Sequence, residues 1–294
     1  MPVQFAPARR TKTYLKLALT GPSGSGKTYS ALELAFGLVP GGRVAVLDTE
    51  NGSAALYDQL GPFDHAVIDP PYLTEKYIDG LNAAVAGGYD VLIIDSISHE
   101  WSGEGGILRD KEARDLRGGN QYTNWAQPTK AHEAFLAAIL HAPIHTIVTI
   151  RSKQGYVVGD DGKPHKVGMA PIQREGAEYE FTVVLDIDMG HMAQSSKDRS
   201  GLFAGTVLQK VTRDTGKKLR DWLDGAVEAP APPAVEYTGP AWTSGDNGAA
   251  APDKPQCETC GKPMTQGQVA VSRKKFEGKT LCPSCQKAEE SEDK

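Results

Sequence analysis

Between residues 13 and 225, short apolar runs alternate with amphipathic stretches. The runs predict strands at Leu15–Leu19, Val44–Leu47, Ala66–Ile68, Val91–Ile94, His145–Ile150 and Phe181–Asp186. The amphipathic stretches predict helices at Lys27–Leu38, Leu73–Ala86 and Pro128–His141, the last apolar at Ala131, Ala134, Phe135, Ala138 and Ile139. Strands alternating with helices imply an α/β domain whose sheet is mostly parallel.

The pattern stops at residue 226. Of the 31 residues from Ala226 to Gln256, 17 are Ala, Pro or Gly, a mixture that builds no core, so a flexible linker is expected. The chain thus divides into an N-terminal arm (1–12), the α/β domain (13–225), a linker (226–256), a small module (257–287) and an acidic tail (288–294). Its 294 residues suffice for one core of about 200–250 residues and something small.

No run approaches the ~18 apolar residues of a membrane span, and the first ten residues lack the apolar core of a secretion signal. A cytoplasmic protein without membrane contact is expected. The formal charge of −5 excludes a wholly basic nucleic-acid coat but leaves room for local basic patches.

Gly21-Pro22-Ser23-Gly24-Ser25-Gly26-Lys27-Thr28 fits G-x-x-x-x-G-K-[ST], with a predicted strand before it and a predicted helix after it. The glycines let successive N–H groups turn toward one point, where the helix N-terminus adds partial positive charge. Lys27 is expected at the β/γ-phosphates, and Thr28 at Mg²⁺. These residues predict a nucleoside triphosphate site, with ATP and Mg²⁺ as cofactors.

Val91–Ile94 ends in Asp95, placed as a Walker-B carboxylate that would hold Mg²⁺ beside Thr28. Hydrolysis also needs a base for the attacking water. The position after Asp95 is Ser96, so the base is expected from elsewhere: Glu50, at the end of the strand that follows the P-loop helix, with Glu100 in reserve.

Together the P-loop, Asp48-Thr49-Glu50 and Leu92-Ile93-Ile94-Asp95-Ser96 resemble the RecA-like recombinase superfamily. With Pro171–Phe181 and Ser196–Phe203, the resemblance is to phage-encoded RecA-like ATP-binding proteins, described as shortened recombinases or single-strand-annealing ATPases. It implies a RecA-like P-loop core over roughly residues 13–225 and Glu50 as the catalytic carboxylate. It also puts Thr149 near the family's γ-phosphate sensor. Lys197 and Arg199, in a Lys-x-Arg-x-Gly segment, would reach the γ-phosphate of a neighbouring subunit. The implied partners are single-stranded DNA, further copies in a ring or filament, and a single-strand-binding protein.

Two segments are candidates for DNA. Residues 102–125 are long, Gly-rich and charged, at the place of the family's first DNA loop, but acids interleave with the bases and a solvated helix fits equally. The second, Arg151–Lys166, reads as a β-hairpin turning at Gly159–Gly162. Arg151, Lys153 and Lys166 would contact phosphates and Tyr156 would stack on a base; an ordinary exposed hairpin fits the same residues. His65, His99, His132, His141, His145 and His191 show no ligand spacing.

All four cysteines lie in the C-terminal module, as Cys257-x-x-Cys260 and Cys282-x-x-Cys285. Four thiolates at this spacing suit one tetrahedral Zn²⁺, and predict a zinc ribbon rather than redox pairs. From Lys254 to Lys287, seven Lys/Arg stand against Glu258 and Glu277, a net of +5. Arg273, Lys274 and Lys275 beside Phe276 are candidate DNA contacts, with protein docking as the other reading. For the whole chain, a small-molecule P-loop kinase and a non-hydrolysing ATP-dependent DNA-binding scaffold also remain open at this point.

Overall fold

The computed structural model describes residues 13–118, 120–158, 164–206, 209–225, 255–264, 266–276 and 278–286. The described residues divide into two units: one holds those from 13 to 225, the other those from 255 to 286. The expected N-terminal arm, the acidic tail, the hairpin turn and nearly all of the linker lie outside the described residues.

In the larger unit the predicted strands become β1 (Lys16–Gly21), β2 (Val44–Asp48), β3 (Asp64–Val67), β4 (Val91–Asp95), β5 (His145–Val158) and β7 (Val183–Ile187). They are joined by β6 (Pro164–Pro171), β8 (Met192–Asp198) and β9 (Gln209–Lys210). The strand order is β3-β2-β4-β5-β1-β7-β8-β9. The first six run parallel, and β8 and β9 add an antiparallel edge. β5 continues past the sheet and pairs with β6 as the expected hairpin.

Both faces of the sheet are covered, so the central strands are continuous apolar runs rather than alternating ones. β4 shows the division. Val91 and Ile93 join the core beneath α1 (Lys27–Leu38) and α6 (Arg213–Asp224), while Leu92 and Ile94 join the core beneath α2 (Thr74–Ala86) and α5 (Ala126–His141). α1 and α6 cross closely because glycines face one another. A Cβ on Gly37 would run into the Arg213 carbonyl, and one on Gly216 into the Leu34 carbonyl.

The segment after β4 is more helical than its glycines suggested. It forms α3 (Ser98–Ser102), α4 (Ile107–Leu116) and a 3-10 turn at Thr123–Trp125 leading into α5. Among the described residues no helix is long and apolar enough to cross a membrane.

Among the described residues the smaller unit holds an isolated bridge between Gln256 and Pro263, the helix α7 (Gln266–Lys275) and a helical turn at 283–286. Among the described residues its core is Cys257, Met264, Leu281 and Cys282, with Val269, Phe276 and Cys285 packed against them. That is too little apolar burial to hold a module this size without a metal.

Candidate functional site

The parallel register brings the C-terminal ends of β1, β2, β4 and β5 side by side, where an α/β sheet places its ligand. Gly21 to Thr28 connect β1 to α1, and at two positions the backbone requires glycine. Gly24 and Gly26 sit at φ +82° and +86°, in the left-handed region that strains other residues. Gly26 caps α1, so the first N–H groups of a twelve-residue helix face the loop. Lys27 folds back over the loop, its Nζ donating to the Pro22 carbonyl at 2.8 Å.

Asp95 is buried at the end of β4. The Thr28 hydroxyl donates to its Oδ2 at 2.5 Å, and the Thr149 hydroxyl to its Oδ1, also at 2.5 Å. Burial raises the Asp95 pKa; the two hydroxyls oppose the rise without cancelling it. A buried carboxylate with a hydroxyl beside it is a hard-oxygen donor pair, and fits a divalent cation shared with phosphate oxygens and water. Thr149, expected near the γ-phosphate, is wholly buried and directs its hydroxyl to Asp95.

Glu50 follows β2 in a turn built by Asp48, whose carboxylate accepts from the Glu50 and Ala54 N–H groups at 2.5 and 2.8 Å. Glu50 Oε1 accepts from Arg151 Nε at 2.8 Å. Burial pushes the Glu50 carboxyl up, but the bond and charge of Arg151, with Lys27 behind, outweigh it and leave the pKa lowered. Glu100 is elsewhere. It is buried on α3, with the Thr74 hydroxyl at 3.1 Å and His132 Nδ1 at 3.4 Å.

Lys27, Thr28, Glu50, Asp95 and Arg151 line one cavity of 550 Å³. Arg151, expected among DNA contacts, is therefore a wall of this cavity. Sequence reasoning missed other residues of its lining, among them Tyr29, Leu56, Tyr57, Lys210 and His191. The Tyr29 and Tyr57 rings meet edge to face at 6.1 Å and give the phosphate end an apolar counterpart. His191 sits at φ +62°, its Nδ1 3.0 Å from the Ser25 carbonyl, bracing the P-loop from the β7–β8 turn. Only a hairpin register could have revealed it.

A second layer ties β2 to β4. The Thr49 hydroxyl accepts from the Ser96 N–H at 2.9 Å and lies 2.8 Å from His99 Nδ1, and the His99 ring stacks on Tyr72 at 4.8 Å. Burial lowers the His99 pKa. His99, read from sequence as having no ligand role, belongs to this support.

Lys197 and Arg199 lie at the end of β8 and do not line the cavity. The Lys197 ammonium is buried without a hydrogen-bond partner among the described residues, and its pKa is lowered by burial and then by Arg199. On the hairpin, Lys153 is exposed, and Tyr156 pairs in register with Lys166. The bases of α4 are engaged by their own helix: Arg109 with Glu112, Lys111 with Asp115, and Arg114 with Asp110, at 2.5 to 2.9 Å. That pairing favours the solvated-helix reading of the segment.

In the smaller unit the four cysteine sulfurs lie within 4.8 Å of one another, Cys260 and Cys282 at 3.6 Å. Tetrahedral thiolates about 2.3 Å from a shared ion would stand ~3.8 Å apart, so the cluster fits such an ion. The Cys257 thiol is pulled well below its ordinary value, chiefly by the Cys282 N–H donating to its sulfur at 3.2 Å, which favours the thiolate a metal needs. Arg273, Lys274 and Lys275 are exposed on the last turn of α7. Phe276, expected as a stacking ring, packs on the cysteine core, with Lys275 Nζ 5.7 Å from the ring centre.

A comparison with curated proteins finds no match. The model of the AAA domain, a family of P-loop NTPases, matches residues 13–224, nearly the whole described α/β unit, and the chain belongs to that family as a P-loop ATPase.

Proposed function

We propose that the chain is a RecA-like ATPase of phage type that acts on single-stranded DNA in recombination, annealing or repair. One observation carries the hydrolytic part: Lys27, the Thr28–Asp95 pair and Glu50 converge on one cavity. With Thr28 and Asp95 holding Mg²⁺, that ion would neutralise developing charge between the β- and γ-phosphates. Lys27 binds the β- and γ-oxygens, and the P-loop N–H groups take the phosphates beside it. Glu50 orients water and accepts its proton as the water oxygen bonds to the γ-phosphorus. The bond to the bridging oxygen breaks, and ADP leaves with that oxygen.

Support for the DNA part is the hairpin of β5 and β6, which grows from the strand carrying Arg151 and bears Lys153. The exposed Arg273, Lys274 and Lys275 on a Zn²⁺-held ribbon would add phosphate contacts. Lys197, whose ammonium has no hydrogen-bond partner among the described residues, suits a cation used by a neighbouring subunit in a ring or filament. The test is phosphate release with and without single-stranded DNA, alongside the mass of the assembly. DNA-stimulated release from a multimer is expected; release from a monomer indifferent to DNA, or transfer to a small acceptor, overturns the reading.

A further inference from the structure

We infer that His191 is a ligand of the diphosphate part of the nucleotide: its Nδ1 holds the P-loop while its Nε2 donates to a phosphate oxygen. The inference rests on the nucleotide reading above and adds to that site a residue from outside the P-loop. It begins from the turn between β7 and β8. Asp188 builds that turn, its carbonyl accepting from the His191 N–H at 3.0 Å and its Oδ1 from the Met192 N–H at 2.9 Å. His191 stands there at φ +62°, one of two non-glycine residues in the left-handed region among the described residues. Such a backbone costs free energy and persists where the surroundings fix it, as they do at functional sites.

The turn lies over the P-loop. A Cβ on Gly24 would stand 3.8 Å from Met189 Cε, and one on Gly26 would stand 3.2 Å from His191 Nδ1. Glycine at position 26 thus makes room for the imidazole. Nδ1 lies 3.0 Å from the Ser25 carbonyl, which only accepts, so Nδ1 carries the proton of that bond. The bond fixes the ring and leaves Nε2 without a hydrogen-bond partner among the described residues. His191 is exposed, and it lines the cavity with Lys27. A brace alone does not call for this residue: Asn enters the left-handed region more readily and carries an amide N–H for the carbonyl.

Electrostatics select a phosphate as the partner of Nε2. Lys27, Arg151 and Lys210 line the cavity with His191, against Glu50 and Asp95, and Asp188 belongs to its own turn. The three cations oppose a further positive charge in the empty cavity. A polyphosphate reverses that balance, and the imidazolium then has two N–H donors, one for Ser25 and one for the nucleotide. P-loop N–H groups cradle the α- and β-phosphates, and His191 lies against Gly26 of that loop. Its ligand is therefore the diphosphate common to ADP and ATP, and nucleotide binding takes up a proton.

The test is titration of ADP and of a non-hydrolysable ATP analogue, each with Mg²⁺, into the full chain and two variants between about pH 6 and 8. His191→Asn keeps an N–H for Ser25 and has nothing at the place of Nε2; His191→Gly has neither group. Both residues suit a positive φ, so the fold should be kept. At the acid end His191→Asn should bind both nucleotides roughly tenfold or more weakly than the unaltered chain, as for a lost charged hydrogen bond. The deficit should shrink toward the alkaline end, where the imidazole is neutral; the nucleotide's own titration is common to all three proteins and cancels. His191→Gly should lose at least as much. Calorimetry in two buffers of different ionisation enthalpy should count more protons taken up by the unaltered chain than by either variant. His191→Asn that matches the unaltered chain in affinity and proton uptake, or a deficit equal at every pH, overturns the inference and leaves His191 a brace. If the unaltered chain binds neither nucleotide, the nucleotide reading itself fails.

Discussion

Glu50 and Arg151 are 101 positions apart in the chain and share a hydrogen bond of 2.8 Å at the mouth of the cavity. The carboxylate best placed to receive a proton is thereby held by the cation that lowers its basicity. Neither residue is fully buried, so the pair can open without stranding a charge in a dry interior.

The pH dependence of turnover should follow this pair. Glu50 works only when ionised, so activity falls as pH drops through its pKa, which Arg151 lowers from the ordinary 4.5. In Arg151→Met the burial that raises the pKa remains and the opposing cation is gone. The acid limb of kcat/KM, which reports the nucleotide-free enzyme, should move to higher pH. An unmoved limb would show that Glu50 is not the group titrating.

Glu50→Gln should bind ATP and lose turnover by about 10²-fold or more. If Lys197 and Arg199 serve a neighbour's site, mixing Glu50→Gln with Lys197→Ala protein should restore part of the activity, because some interfaces then hold one intact set. Steady-state phosphate release in mixtures shown to co-assemble is the measurement, and no recovery counts against action across the interface.

Gly216→Ala should destabilise the α/β unit by about 1–3 kcal/mol, because the new methyl group meets the Leu34 carbonyl and α6 must shift from α1. Urea unfolding reads this directly, with the slope unchanged. A loss below about 0.5 kcal/mol would mean that the helices separate freely.

The C-terminal unit should bind one Zn²⁺ per chain, and chelation should unfold residues 255–286 while the α/β unit keeps its own melting transition. Truncation after residue 226 should leave a nucleotide-binding core with weaker DNA affinity. The slope of log affinity against log salt should be shallower by about 0.7 for each phosphate that the ribbon had neutralised. Unaltered affinity and slope would assign the ribbon to protein docking.

What the sequence by itself determined is whatever lies within one contiguous stretch. The P-loop is eight successive residues whose glycines set their own backbone, Asp95 ends its own strand, and the paired cysteines carry their ligand spacing. The alternation of apolar runs likewise located all six parallel strands, to within a few residues at their starts; every position of β1, β2 and β4 is buried, whereas β3 is exposed throughout. Only the tertiary structure decided who faces whom. The order β2-β4-β5-β1 turned Arg151 toward Glu50 rather than into the hairpin set expected from sequence to contact DNA, set Thr149 against Asp95, and left Glu100 beside His132 and away from the cavity. The β7–β8 turn carried His191 to Ser25, 166 positions away. Strand order and register depend on the packing of both faces together, and no local run of residues encodes them.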